Sequence, residues 1–130
     1  MAELNVSLVA VDRKLWSGVA NSVSAKTLDG EIGILPRHEP VLALLADSPL
    51  FIHTPDGNKI VVAVHGGFFA VDNNNVSILA ETAELSTEID IKRARSALER
   101  AVQDGTDHPE VLAAMIRAET RIKVATGEDA

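Results

Sequence analysis

The spacing of the apolar residues changes once along this chain, near residue 86, and that change sets what it can fold into. Before it, the period is two. Leu4, Val6, Leu8 and Ala10 are apolar at alternate positions, the pattern of a strand with one buried face. Leu15 to Ala25 keeps extended character, with β-branched Val19 and Val23. Further short runs follow at Ile32 to Leu35, Val41 to Leu45, Phe51 to Thr54, Lys59 to His65, Phe68 to Val71 and Val76 to Ala80. They are joined by Leu28-Asp29-Gly30-Glu31, Pro55-Asp56-Gly57-Asn58 and Asp72-Asn73-Asn74-Asn75, residues that tolerate the positive φ of tight turns. Many short strands so spaced predict a β-sandwich or flattened barrel. Val41 to Ala46 alone is ambiguous, because a short apolar run does not separate strand from helix.

After Glu84 the period becomes helical. Ile91, Ala94, Leu98, Ala101 and Val102 share one side, while Lys92, Arg93, Arg95, Glu99, Arg100 and Gln103 fill the others. Asp104-Gly105 supplies a stop, with Gly105 suited to a left-handed cap. Asp107 as N-cap, Pro109 in the first turn and Glu110 at the capping-box position then open a second helix. Leu112, Met115, Ile116, Glu119 and Ile122 carry its expected stripe, with Val111 and Ala118 beside it. Two helices joined by about five residues form an antiparallel hairpin. The expected organisation is thus β followed by α: a sandwich domain over residues 1–86 and a helical hairpin domain over residues 87–130.

Composition removes several classes of function. With no cysteine, disulfide scaffolds, thiol catalysis and cysteine zinc sites are out. The net charge is −7, which opposes a phosphate-backbone partner. Aromatic residues make up 3% of the chain, too few for stacking platforms on single strands, so nucleic acid is not an expected partner. The opening Met1-Ala2-Glu3-Leu4 lacks the basic and apolar regions of a signal peptide. The longest apolar run, Val41 to Ala46, is far short of the ~20 residues that span a bilayer. A cytoplasmic protein is expected, meeting a membrane only through a complex.

A search for catalytic groups returns little. His38, His53, His65 and His108 have no His-x-His or His-x3-His spacing, and no carboxylate cluster travels with them, so no metal site is expected. Gly66-Gly67 follows a strand without a helix or a Lys-Ser/Thr pair after it, which reads as a bulge or tight reversal and not a phosphate loop. Ser17-Gly18 lacks the surroundings of a nucleophile elbow. No catalytic residue is expected. The residues alone leave open a stand-alone β-sandwich ligand-binding module with a helical dimerisation extension, and a β-barrel enzyme holding a metal on histidines.

Three stretches, in order, resemble the epsilon subunit family of the bacterial F-type ATP synthase. They are Asp29-Gly30-Glu31-Ile32-Gly33-Ile34-Leu35-Pro36-Arg37-His38-Glu39-Pro40, then His65-Gly66-Gly67-Phe68-Phe69-Ala70-Val71, then Asn75-Val76-Ser77-Ile78-Leu79-Ala80-Glu81-Thr82-Ala83-Glu84. Ile89-Asp90, opening a charged, Ala-rich hairpin, completes the order, so the resemblance runs from about residue 3 to about residue 125. It implies a ten-stranded β-sandwich with two C-terminal helices, and a non-catalytic role in the central rotor stalk. The implied partners are the gamma subunit and the membrane ring of c subunits, with the alpha and beta subunits of the catalytic head reached when the hairpin extends to restrain ATP hydrolysis. The implied place is the cytoplasmic face of a bacterial cell membrane, peripherally. By the same resemblance Gly30, Glu31, Pro36, Arg37 and His38 face the c ring, with Glu31 and His38 as the foremost contacts.

The hairpin carries one more expectation. Some bacterial members bind ATP through Ile/Leu-Asp-x-x-Arg-Ala, and Ile89-Asp90-Ile91-Lys92-Arg93-Ala94 matches every specified position. Asp90 and Arg93 stand at i, i+3, with Arg100 two turns on. Arg117 and Arg121 bring further guanidinium groups from the second helix towards a triphosphate. The expected ligand set is therefore Ile89, Asp90, Arg93, Ala94, Arg100, Arg117 and Arg121, with ATP as a regulator, with or without Mg²⁺, and no required cofactor. Each helix has only about 15 residues, a length marginal in isolation, and the seam is rich in Ala. A balance of a few kcal/mol between docked and extended hairpins is expected, the condition for a two-state switch.

Overall fold

The computed structural model describes residues 3–105 and 108–126. The alternating half forms β1 (Leu4–Ala10), β2 (Lys14–Ala20), β3 (Ser22–Thr27), β4 (Gly30–Ile34), β5 (Val41–Leu44), β6 (Ser48–His53), β7 (Lys59–Asp72) and β8 (Asn75–Leu85). A 3-10 turn, Ser86–Glu88, leads to α1 (Ile91–Asp104) and α2 (Pro109–Thr126). The strands make one sheet in the order β2-β1-β8-β7-β6-β3-β4, with β5 pairing β7 off that path. Neighbours are antiparallel except β1 and β8, which run parallel.

Two long strands turn this sheet into a sandwich. β7 has 14 residues and pairs β6 through Lys59–Val64 and β5 through Phe68–Val71. β8 has 11 residues and pairs β1 only through Asn75–Ala80, keeping β7 as its neighbour along its length. One layer is therefore β4-β3-β6 with the first half of β7 and the end of β8. The other is β5, the second half of β7, the start of β8, β1 and β2. The strand count is eight, not the ten expected, because β7 and β8 run unbroken through both layers. The sheet also stays open, with β2, β4 and β5 each paired on one side only; on the described residues only an isolated bridge, Thr27 to Leu45, draws the ends of β3 and β5 together. It is a sandwich and not a closed barrel.

Gly66-Gly67 is the bend that lets β7 change layers. Inward residues of β7 are Val62 and Val64 before it and Phe69 and Val71 after it, so the buried parity switches there. On the opposing strand the switch runs from Val76, Ile78 and Ala80 to Ala83. The register does not slip: His65 still faces Thr82 and Gly67 still faces Ala80. The expected bulge or reversal is thus a bend in continuous strand. Gly66 and Gly67 have φ of +75° and +113°, and a Cβ on Gly67 would lie 2.2 Å from the Leu79 carbonyl oxygen. No other residue type fits that crossing.

The other departures have similar local causes. The expected strand from Leu15 to Ala25 breaks at Asn21, whose N–H donates to the His53 carbonyl at 2.7 Å and carries the chain from one layer to the other. The run from Val41 to Ala46 resolves as strand over Val41–Leu44, with Val41 and Ala43 packed on the core and Leu42 and Leu44 turned outward. Leu4, Leu8, Ile34, Leu50, Ile52, Val62 and Phe69 are essentially without exposure in the core between the layers. Each such side chain contributes roughly 1.5–3 kcal/mol by burial, which makes this body the rigid part of the molecule.

The hairpin lies on the outer face of the β6–β7 layer. Asp90 caps α1 by accepting from the Arg93 N–H at 3.1 Å. Gly105 ends it at φ +89°, ψ 137°, a glycine-only region but not the left-handed cap expected. Asp107, the expected N-cap of α2, lies outside the described residues. Val124 of α2 packs with Phe51, Val61, Ala63 and Ile89 in a cluster separate from the main core. Thr120 Oγ1 donates to the Asp47 carbonyl at 3.3 Å. The buried residues of α2 are Ala118, Thr120 and Val124, whereas Leu112 and Ile116 of the expected stripe are each 40% exposed. Large apolar residues do not mark the buried face of α2, because the buried residues of the facing α1 are small, Ala94 and Ala101.

Candidate functional site

The 30–38 segment flanks β4 on both sides. Gly30 closes the β3–β4 turn at φ +127°, and Thr27 Oγ1 locks that turn by donating to the Gly30 carbonyl at 2.8 Å and accepting from the Asp29 N–H at 3.1 Å. Glu31 follows it, exposed on β4. Pro36, Arg37 and His38 form the loop past the other end of the strand. There Arg37, at φ +69°, donates its N–H to Asn74 Oδ1 at 2.6 Å, and the His38 ring meets the Glu39 carbonyl at 2.7 Å through Nδ1. These bonds fix both turns on the rigid body, but five residues of strand, about 16 Å, lie between them. The five expected contact residues therefore form two patches and not one.

A cleft of about 350 Å³ opens where the hairpin leaves the sandwich, lined by Glu84, Glu88, Asp90, Arg93, Ala94, Ala97 and Arg121. Of the residues expected to hold a nucleotide, it gathers Asp90, Arg93, Ala94 and Arg121. Arg100 is exposed on α1 and Arg117 is half-buried on α2, both outside this lining, and Ile89 packs beneath Val124. The electrostatics are mixed. Arg121 Nε donates to Glu84 Oε1 at 2.5 Å, so one expected phosphate ligand already holds a carboxylate. Glu88 is taken by Arg13 from the β1–β2 turn, with Nη1 to Oε2 at 2.7 Å and Nη2 to Oε1 at 2.8 Å. That side-chain bond, helped by the Leu85 N–H, lowers the Glu88 carboxyl to about 2.

The four histidines are scattered: His38 in the loop after β4, His53 at the end of β6, His65 inside β7 and His108 before α2. Among the described residues no three His, Cys, Asp or Glu side chains are grouped to hold a metal ion, and no helix is long and apolar enough to cross a membrane.

The opposite layer carries a feature that the reading of the sequence left unplaced. Leu42 (71% exposed), Leu44 (59%) and Phe68 (40%) lie together on its outer face. They continue into a shallow groove of about 370 Å³ lined by Val11, Leu28, Leu44, Gly67, Phe68 and Leu79 among others. Adjacent exposed apolar side chains on a rigid sheet mark an interaction surface. The signal was in the sequence: Val41 to Leu45 and Phe68-Phe69 are apolar on both strand faces, where a one-sided strand would alternate.

Comparison with known proteins places the chain. Residues 3–86 match the family model of the ATP synthase Delta/Epsilon chain β-sandwich domain. The ATP synthase epsilon chain of Streptomyces coelicolor is 48% identical over 126 residues, 97% of this chain and 98% of that one. The ATP synthase epsilon chain of Thermobifida fusca is 45% identical over 98% of this chain and 96% of its own length. Among solved structures, a chain of the Euglena gracilis mitochondrial ATP synthase OSCP/F1/c-ring assembly superposes with a TM-score of 0.75 at 26% identity, covering 97% of this chain and 79% of that one. A chain of the Tetrahymena thermophila mitochondrial ATP synthase central stalk and c-ring shares the fold at a TM-score of 0.61 and 18% identity, over 95% and 94% of the two chains.

Proposed function

The chain belongs to the ATP synthase epsilon chain family, and from that membership we propose that it is a non-catalytic subunit of the central rotor stalk. It carries rotation of the c ring towards ATP synthesis through the gamma subunit, on the cytoplasmic face of the membrane, and no helix among the described residues is long and apolar enough to cross it. The partners follow from the assemblies of its structural neighbours, an F1/c-ring complex and a central stalk with its c ring. Torque needs a body that does not yield, and the two-layer core within residues 3–86 supports that role.

The observation that carries this reading is the division of labour between the two outer faces. One is covered by the chain's own α2, and the other presents Leu42, Leu44 and Phe68 uncovered. We assign the uncovered apolar face to the gamma subunit and the turns at Gly30–Glu31 and Pro36–His38 to the c ring. The helices α1 and α2 are the moving part: docked, they leave hydrolysis free, and extended towards the alpha and beta subunits, they restrain it. ATP in the cleft at Asp90, Arg93, Ala94 and Arg121 would favour the docked form, Arg100 and Arg117 joining only if the helices shift.

The test is association. Leu42→Asp combined with Phe68→Ser should weaken binding to the gamma subunit at least about tenfold, as loss of a central apolar anchor does, with the melting curve of the isolated chain unchanged. Undiminished binding by that variant would remove the assignment.

A further inference from the structure

His65 is buried to 4% exposure, and neither ring nitrogen has a hydrogen-bond partner. An unpaired polar group so deep is disfavoured, and its position gives it a use. It stands two residues past Ala63 on the same face of β7, the face on which Val61 and Ala63 meet Val124 of α2. Three charged groups face it, one from each neighbouring element. Glu84 of β8 brings Oε1 to 3.4 Å from Nε2, too poorly directed for a hydrogen bond. Arg121 of α2 holds that same oxygen at 2.5 Å. Asp47, in the turn before β6, lies beside Thr120 of α2. Burial and then Arg121 disfavour the charged ring, against the weaker pull of Asp47 and Glu84, and hold His65 below its ordinary value of 6.5. The docked hairpin therefore selects the neutral imidazole.

We infer that His65 is a proton-operated release for the hairpin: a proton taken up by the ring is accommodated only when α2 lifts from β7 and Arg121 leaves with it. Water then reaches both ring nitrogens, and Glu84, freed of Arg121, faces the imidazolium. The part of docking that is linked to the ring is complete above the ordinary imidazole value and is lost as pH falls towards the lowered one. Between those limits the docked-to-undocked ratio falls about tenfold per pH unit. The inference rests on the proposed function only in taking the hairpin to be able to leave the sandwich.

The test is a titration of the full chain by nuclear magnetic resonance from about pH 8 to about pH 5, following the His65 ring and the amides of Ala118, Thr120 and Val124. The expected result is one shared midpoint below 6.5 for ring and helix, with the helix response absent in His65→Gln. The inference is overturned if α2 stays docked while the ring titrates, if the two midpoints differ, or if His65→Gln responds as the wild type does. Should His65→Gln fail to dock at any pH, the wild-type midpoints still decide. A cross-link of α2 to β7 that leaves hydrolysis by the assembled complex unchanged would defeat the regulatory reading alone, and the titration would stand.

Discussion

Arg13 and Glu88, 75 positions apart, form a two-pronged ion pair that fastens the β1–β2 turn to the 3-10 turn from which the hairpin starts. The guanidinium also reaches the Ala83 carbonyl at 3.3 Å, and Glu88 Oε1 accepts the Leu85 N–H at 2.9 Å. The base of the hairpin is thus anchored to the sandwich independently of α2. An exposed pair adds little to global stability, but a planar fork fixes direction. It pins the point about which the helices would move.

Because the Glu88 carboxyl is lowered from 4.5 to about 2, the fork is intact throughout the range where His65 responds. Its contribution is complete above 4.5 and is lost as pH falls through about 2. In Arg13→Ala the Glu88 titration should return towards 4.5, and exchange of the Leu85 N–H should quicken at neutral pH while the sandwich amides keep their protection. Carbon-13 titration of the Glu88 carboxyl together with amide exchange reads both. An unmoved Glu88 would mean that the Leu85 N–H, not Arg13, holds it down.

The bend in β7 makes a second, sharper demand. Gly67→Ala places a Cβ 2.2 Å from the Leu79 carbonyl at φ +113°, against the backbone of Leu79 and Ala80 and not a flexible side chain that could yield. The expected loss is about 3 kcal/mol or more in urea unfolding. Gly33→Ala, with nothing within 4 Å of the added carbon and no positive φ, should stay within about 0.5 kcal/mol of wild type. A mild Gly67→Ala would show that the two layers tolerate a shift in how β7 crosses between them.

How much of this was legible depends on which residues had to carry the signal. Alternation from Leu4 to Ala10 marks β1 without help, because one face of that strand is buried and the other is not. It marks nothing at Gly66-Gly67, where the buried parity inverts and two strands were read in place of one. The helix stop at Asp104-Gly105 is local chemistry and was readable. The docking face of α2 was not, since its contacts run through Thr120, Arg121 and Val124, none of which lies on the expected stripe. For the same reason nothing in the sequence singles out His65: its burial comes from the layer and helix that fold over it. Asp90, Arg93 and Ala94 of the nucleotide motif line one cleft, but the motif carries no sign of Glu84 on Arg121.

That competing carboxylate shapes the nucleotide prediction. Mg-ATP should bind the isolated chain saturably in calorimetry, and Arg93→Ala should abolish the heat, because Arg93 is the cationic side chain that the motif itself contributes to the cleft. Arg37→Ala, on the loop after β4, should bind as the wild type does. No heat up to about millimolar ATP would remove the nucleotide from the reading and leave a hairpin that answers to its partners and to protons.

The strength of docking can be separated from the strength of the fold, because Val124 belongs to a cluster of its own with Phe51, Val61, Ala63 and Ile89. Removing its two methyl groups in Val124→Ala should weaken docking by about 2 kcal/mol through lost burial and the cavity left behind. The loss should be local: amide protection at Ala118 falls about thirtyfold, while urea unfolding followed at Trp16, which packs on the main core, keeps its midpoint. Val62→Ala, in the core between the layers, should do the reverse and move the Trp16 transition. If Val124→Ala shifts the Trp16 midpoint as much as Val62→Ala does, hairpin and sandwich unfold as one unit, and a switch that moves the helices alone is excluded.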